Sequence, residues 1–166
     1  KELFKTISTM NKRKKYTDSI DSSHDVVAYL MILMNYLSAK ELIKLKCGVF
    51  RSAKFNQSFV PPEELPKGVK KFLKNWNSQG GKYSKDVGDH DMLELDAYVH
   101  ITSPIRRLVD LLNIIILQDK LGWEMSVKSK EFYERWTNDS SIEYINTTMR
   151  SIRRVQNDCS LLKICM

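Results

Sequence analysis

The sequence predicts a mainly α-helical α+β domain, and three observations predict it. Apolar residues recur at the three-and-four spacing of a helix along most of the chain. Extended character is confined to a few short stretches. With 166 residues, 42% of them hydrophobic, the chain can bury one core, so wholesale disorder is excluded.

The elements follow in order. Leu3, Phe4, Ile7 and Met10 mark an amphipathic helix that ends in the basic block Lys12-Arg13-Lys14-Lys15. The polar run 17–23 is a turn rich in helix N-cap residues. Val26, Val27, Leu30, Met31, Leu33, Met34, Leu37, Leu42, Ile43 and Leu45 then outline a long helix. Its apolar face is broad, which places it at the centre of the core. Gly48 ends that run, and Val49-Phe50-Arg51 reads as a short strand. Residues 52–64 form a loop with Pro61-Pro62, Pro66 to Trp76 a shorter helix, and 82–91 a second loop. Thr102-Ser103-Pro104-Ile105 reads as a helix start, with a hydroxyl to cap free N–H groups and a proline in the first turn. That helix stops at Gly122. Another covers Val127–Trp136, and a last one runs from about Ser141, with Ile142, Ile145, Met149, Ile152, Val155, Leu161 and Leu162 inward.

Composition narrows the function classes. The formal net charge is +7, which suits an anionic partner but also serves plain solubility. The most apolar run, Leu108 to Leu117, is broken by Asp110 and Asn113 and is too short to span a membrane, so no membrane partner is expected. Three cysteines without a C-x-x-C spacing argue against a zinc site or a disulfide scaffold and for reduced thiols in an intracellular setting. The three sequons at Asn56, Asn138 and Asn146 read as coincidence. The chain starts at Lys1 and reads as part of a longer protein.

Phosphate-loop, dinucleotide, zinc-protease and nucleophile-elbow motifs are absent. His24, beside a helix start, reads as a capping or surface residue. His90, between Asp89 and Asp91, reads as a solvated loop residue rather than half of a metal site. The informative stretch is Tyr98-Val99-His100-Ile101-Thr102-Ser103-Pro104-Ile105-Arg106-Arg107. Two arginines enter the first turn of a helix, against the macrodipole, just after an aromatic and an imidazole. An anion at that terminus would offset them, and a guanidinium grips phosphate through two bonds. The competing reading pairs Arg106 and Arg107 with internal carboxylates such as Asp110.

The pattern Y-x-H-x-T-S-P-I-R-R-x-x-D-L, from Tyr98 to Leu111, resembles the signature of the ribonuclease II and ribonuclease R family, the RNB domain of 3′→5′ exoribonucleases. Ser23-His24 through Met31 to Asn35 is similar to a further family helix, and Gly48-Val49-Phe50-Arg51 to the segment that leaves it. Asn113, Arg153, Val155 and Asp158 also match. The resemblance implies the C-terminal half of an RNB domain, with 1–166 a single partial domain and the N-terminal half outside this chain. It implies hydrolysis of single-stranded RNA to nucleoside 5′-monophosphates with Mg²⁺, whose aspartate ligands are not in this chain. By the same resemblance Arg106 is the catalytic residue that orients the scissile phosphate, and Tyr98, His100, Thr102, Ser103 and Arg107 contact RNA. Pro104, Asp110 and Asn35 give structural support.

The sequence also departs from the family pattern. Ala28 and Tyr29 stand where a pair of glutamates is usual, Leu108 replaces a tyrosine, Ile114-Ile115 a His-Arg pair, and Gln156 a glutamate; a histidine usual near Ala53 is missing. Two readings follow. One is a piece of an active exoribonuclease, inactive as this chain alone. The other is a catalytically degenerate RNB-like module that binds RNA or serves assembly of a larger complex.

Overall fold

The computed structural model describes residues 2–13, 16–17, 19–54, 62–66, 69–70 and 81–165. Five helices and a two-stranded sheet are described: α1 (Glu2–Arg13), α2 (Ser23–Lys44), β1 (Phe50–Ser52), β2 (Lys82–Ser84), a 3-10 turn (Asp91–Leu93), α3 (Leu108–Lys120), α4 (Val127–Thr137) and α5 (Asp139–Cys165). The mainly helical α+β reading holds. Most of the helix expected over Pro66–Trp76, and Pro61, lie outside the described residues.

Helix α2 starts on a capping box. The Ser22 hydroxyl accepts from Asp25 N while the Asp25 carboxylate accepts from Ser22 N at 2.8 Å. The Ser22 hydroxyl, which also donates to that carboxylate, and the N–H groups of Asp21 and Ser22 hold the Asp25 carboxyl below its usual range. His24 lies exposed in the same turn. The helix buries Val26, Tyr29, Asn35, Ser38, Ala39 and Leu42. Val27, Leu30, Met34 and Leu37, expected in the core, are exposed. Apolar residues encircle this helix, so periodicity alone could not choose its buried face. By length and composition α2 is also apolar enough to cross a membrane. Its buried Asn35 is bonded inside the protein, to Tyr98 and Ile101.

The sheet centres on β1. It pairs antiparallel with β2 in the register Phe50↔Ser84, Arg51↔Tyr83 and Ser52↔Lys82. On its other side Phe50 bridges Val99, and Arg51 N donates to Tyr98 O at 2.8 Å. Strand β2 corrects the loop expected over 82–91. Three residues with one buried side chain, Tyr83, are too few to show an alternating pattern. One apolar cluster joins Ala39, Leu42, Phe50, Ala97, Val99 and Ile116; a second joins Val49, Tyr83, Val109, Ile142 and Ile145. The third sets Ile7 of α1 against Val26 and Tyr29.

Helix α3 ends at Lys120, and just beyond its cap residue Leu121 stands Gly122, whose φ of 83° suits a residue without Cβ. In α5, Ile142 and Ile145 are buried as expected, but Met149, Ile152, Val155 and Leu162 are exposed, and the Leu161 side chain lies outside the described ones. The inner half of α5 packs on β2 and α4; beyond Arg150 the described side chains are exposed.

Candidate nucleic-acid interface

Three segments meet beside β1: β2 with Tyr83, the stretch Tyr98–Ser103, and the turn before α3. Two buried asparagines fasten them. Asn113 of α3 accepts from Val49 N at 2.8 Å and donates to Val49 O and His100 O at 2.9 and 3.0 Å. Asn146 of α5 accepts from Tyr83 N and donates to Tyr83 O. Each amide replaces the backbone partner that a neighbouring strand would supply.

On this frame stands a row of rings. The Tyr83 hydroxyl lies 2.7 Å from His100 Nδ1. The Tyr98 ring sits 5.7 Å from His100 and 5.0 Å from His90. Asn35 Nδ2 donates to the Tyr98 hydroxyl at 2.9 Å, and Asn35 Oδ1 accepts from Ile101 N. Burial, with Arg107 and Arg51 adding to it, lowers the His100 pKa to about 2; burial and Arg51 lower that of His90 to about 4. Both imidazoles are therefore neutral near pH 7. The Tyr83 and Tyr98 hydroxyls are pushed up by burial and stay protonated.

His90 is 6% exposed, which corrects the solvated-loop reading. Its backbone joins Ala53 and Leu95 in bridges, and those pairings carry its ring inward between two acidic neighbours. Tyr83, Arg51 and His90 were not singled out as site residues. Arg51 had a signal, as the last residue of Gly48–Arg51. Tyr83 had none.

The arginine turn is built differently from the expected capped helix start. Helix α3 begins at Leu108, and its N-cap is Arg107 with no side-chain cap. Residues 104–106 form a turn in which Ser103 O accepts from Arg106 N and Arg107 N. The organising group is Asp110, which is fully buried. Its Oδ1 accepts from Ser103 N at 2.7 Å and from Arg107 Nη2 at 2.8 Å, and its Oδ2 stands 2.8 Å from Arg107 Nε. An ionised carboxylate is a stronger acceptor than a hydroxyl, so the carboxylate ties the turn and the hydroxyls of Thr102 and Ser103 do not cap it. Pro104 is half-buried and Ile105 fully exposed.

The two arginines thus have different surroundings. Arg107 is held by Asp110 in a two-point ion pair. Arg106 is exposed and has no carboxylate partner among the described residues. Arg51, over the Tyr83 ring at 5.5 Å, has none among them either. Among the described residues no three His, Cys, Asp or Glu side chains come together to hold a metal, so this part of the molecule does not fit a Mg²⁺ site. What it presents is a cationic surface with aromatic rings behind it, the combination that grips a single-stranded polyanion.

Comparison with known proteins bears on the family and the fold. The RNB domain model matches residues 4–122, a stretch that contains α2, the sheet and the whole arginine turn. The fold is similar to RNase R of Mycoplasma genitalium in complex with ribose-methylated single-stranded RNA, with a TM-score of 0.58 and 15% identity over 87% of this chain and 28% of that one. The same enzyme with double-stranded RNA gives 0.58 and 16% over 84% and 31%, and its apo form 0.58 and 15% over 87% and 28%. The chain therefore spans less than a third of the RNase R chains it matches. No curated protein sequence matches it. With the family pattern running through well over half its length and the matching fold beneath it, the chain belongs to the RNB domain family.

Proposed function

We propose that this chain is the part of a 3′→5′ exoribonuclease that seats the scissile phosphate of single-stranded RNA. The observation that carries the reading is Arg106: an exposed guanidinium, without a carboxylate partner among the described residues, on a turn made rigid by Asp110. In hydrolysis water attacks the terminal phosphodiester, the bond to the 3′ oxygen breaks, and a nucleoside 5′-monophosphate leaves. Negative charge grows on the non-bridging oxygens in that step. A prepositioned guanidinium lowers the barrier because its orientation is set before the reaction. Family membership and the RNA carried by the RNase R complexes support the same substrate class. Mg²⁺ belongs to the proposal through the family, with ligands from the rest of the domain or another chain; the role given to this chain rests on its own side chains.

A second reading has its own observation. Tyr29, where the family pattern has a glutamate, is 2% exposed and packed against Ile7 and Val26 in the core. A position that is acidic in the family pattern has become a packing position, as expected of a degenerate RNB-like module that binds RNA or serves assembly. One experiment separates the two. The full-length protein with Mg²⁺ and a labelled single-stranded RNA should shorten it stepwise from the 3′ end. Arg106→Ala should bind that RNA almost as well and turn it over about 100-fold or more slowly. No trimming by the wild type favours the degenerate module, and full turnover by Arg106→Ala removes Arg106 from the chemistry.

A further inference from the structure

Arg51 is fixed from several sides. Its N–H donates to Tyr98 O at 2.8 Å, and it stands opposite Tyr83 in the β1–β2 register. Its guanidinium lies over the Tyr83 ring, 5.5 Å from the centroid. Gly81 closes the seat: a Cβ there would overlap the Arg51 Cζ and Nη2. The residue that flanks the guanidinium must be glycine for the side chain to lie where it does.

Among the described residues the charge held there is unbalanced. Asp110, the carboxylate at the arginine turn, is matched to Arg107. Arg51 is half-buried and has no carboxylate partner among the described residues. It acts on His90, His100, Tyr83 and Tyr98 alike, and Arg106 acts on the same His100. Two neutral imidazoles and two protonated tyrosines offer no negative charge to offset two guanidinium groups. The Tyr83 hydroxyl takes up one guanidinium N–H and the cation–π contact none, so Arg51 keeps further donors to offer to an anion. Arg51 and Arg106 stand on separate elements, β1 and the turn before α3, as cations that meet different points of one strand would.

We propose that Arg51 is a second phosphate-binding residue of this site, contacting a backbone phosphate of the bound RNA strand, with Tyr83 as its platform and Gly81 as the space it occupies. The assignment rests on the proposed RNA hydrolase function and adds a division of labour. Arg51 acts in binding and Arg106 in the chemical step.

The test measures binding of a 5′-labelled oligouridylate to the full-length protein without Mg²⁺ across a KCl series. It adds steady-state kinetics with Mg²⁺. Removing one cation that neutralises a phosphate of a single strand flattens the slope of log K on log[salt] by about 0.7. Arg51→Gln should flatten it by that amount and weaken binding about 10-fold, raising KM while kcat changes by less than about 3-fold. Arg51→Lys should keep the slope, since the charge remains, and lose part of the affinity with the fork. Gly81→Ala, which leaves every charge in place but fills the seat, should weaken binding as well. Wild-type slope and affinity in Arg51→Gln overturn the assignment while leaving the proposed function standing. Should Arg51→Gln fail to fold, Gly81→Ala decides, and wild-type affinity there overturns it. A wild-type protein that binds no RNA overturns both the assignment and the function it rests on.

Discussion

His90 carries a consequence in its burial. Its folded pKa, about 4, lies well below the ordinary value of 6.5, first because it is desolvated and then because Arg51 is near. Between those two values the unfolded chain takes up a proton that the folded chain refuses. Stability is therefore complete above about pH 6.5 and falls as pH falls toward 4. From pH 7 to pH 5 the loss from this residue is roughly 2 kcal/mol. Denaturant unfolding at the two pH values should show a loss larger than that, since His100 adds a share of about the same size, and His90→Gln should remove about 2 kcal/mol of it, whatever the variant costs at pH 7. An unchanged difference would mean that His90 is hydrated and titrates normally. His100 is pushed in the same direction, so RNA contacts made by its ring are those of a neutral imidazole at physiological pH. Neither environment could be read from the sequence. Asp89-His90-Asp91 looks polar because its neighbours are, whereas the bridges to Ala53 and Leu95 and the Tyr98 ring decide where the side chain goes.

At the start of α3 the sequence signal was right in place and wrong in detail. Thr102-Ser103-Pro104 does mark a change of direction, but the helix begins at Leu108. The cause is Asp110, a group one helical turn further along, which reaches back to Ser103 N and Arg107 together. Removing it strands a partly buried guanidinium and a backbone N–H. Asp110→Ala should cost roughly 3–5 kcal/mol in chemical denaturation. Replacing both partners, Arg107→Met with Asp110→Leu, should cost clearly less than Asp110→Ala alone, because no unpaired charge is left behind. Equal losses would show that the ion pair is not what holds the turn. Tying Arg107 into the fold leaves Arg106 as the outward cation of the pair, a distinction that two adjacent arginines in a sequence do not display.

Among the described residues, apolar side chains remain exposed on several helices, most of all Val27, Leu30, Met34 and Leu37 of α2 and Met149, Ile152 and Val155 of α5. The described side chains of the outer half of α5 are exposed, so they add little to the folding energy of this chain. Ile152→Ser with Val155→Ser should change the unfolding free energy by no more than about 0.5 kcal/mol, measured by denaturant titration. A larger loss would mean that this half of α5 packs on the body. The sequence by itself determined the helical character, the order of the main helices, their stops, and the family pattern around Arg106, because each of these is written in contiguous residues or in local spacing. Only the tertiary structure decided which face of α2 is buried, that Lys82–Ser84 is a strand, that His90 lies inside, and that Arg51, Tyr83 and His100 stand together. Those outcomes depend on pairings between residues far apart in the chain, whose energy comes from burial and hydrogen bonds that no local window contains.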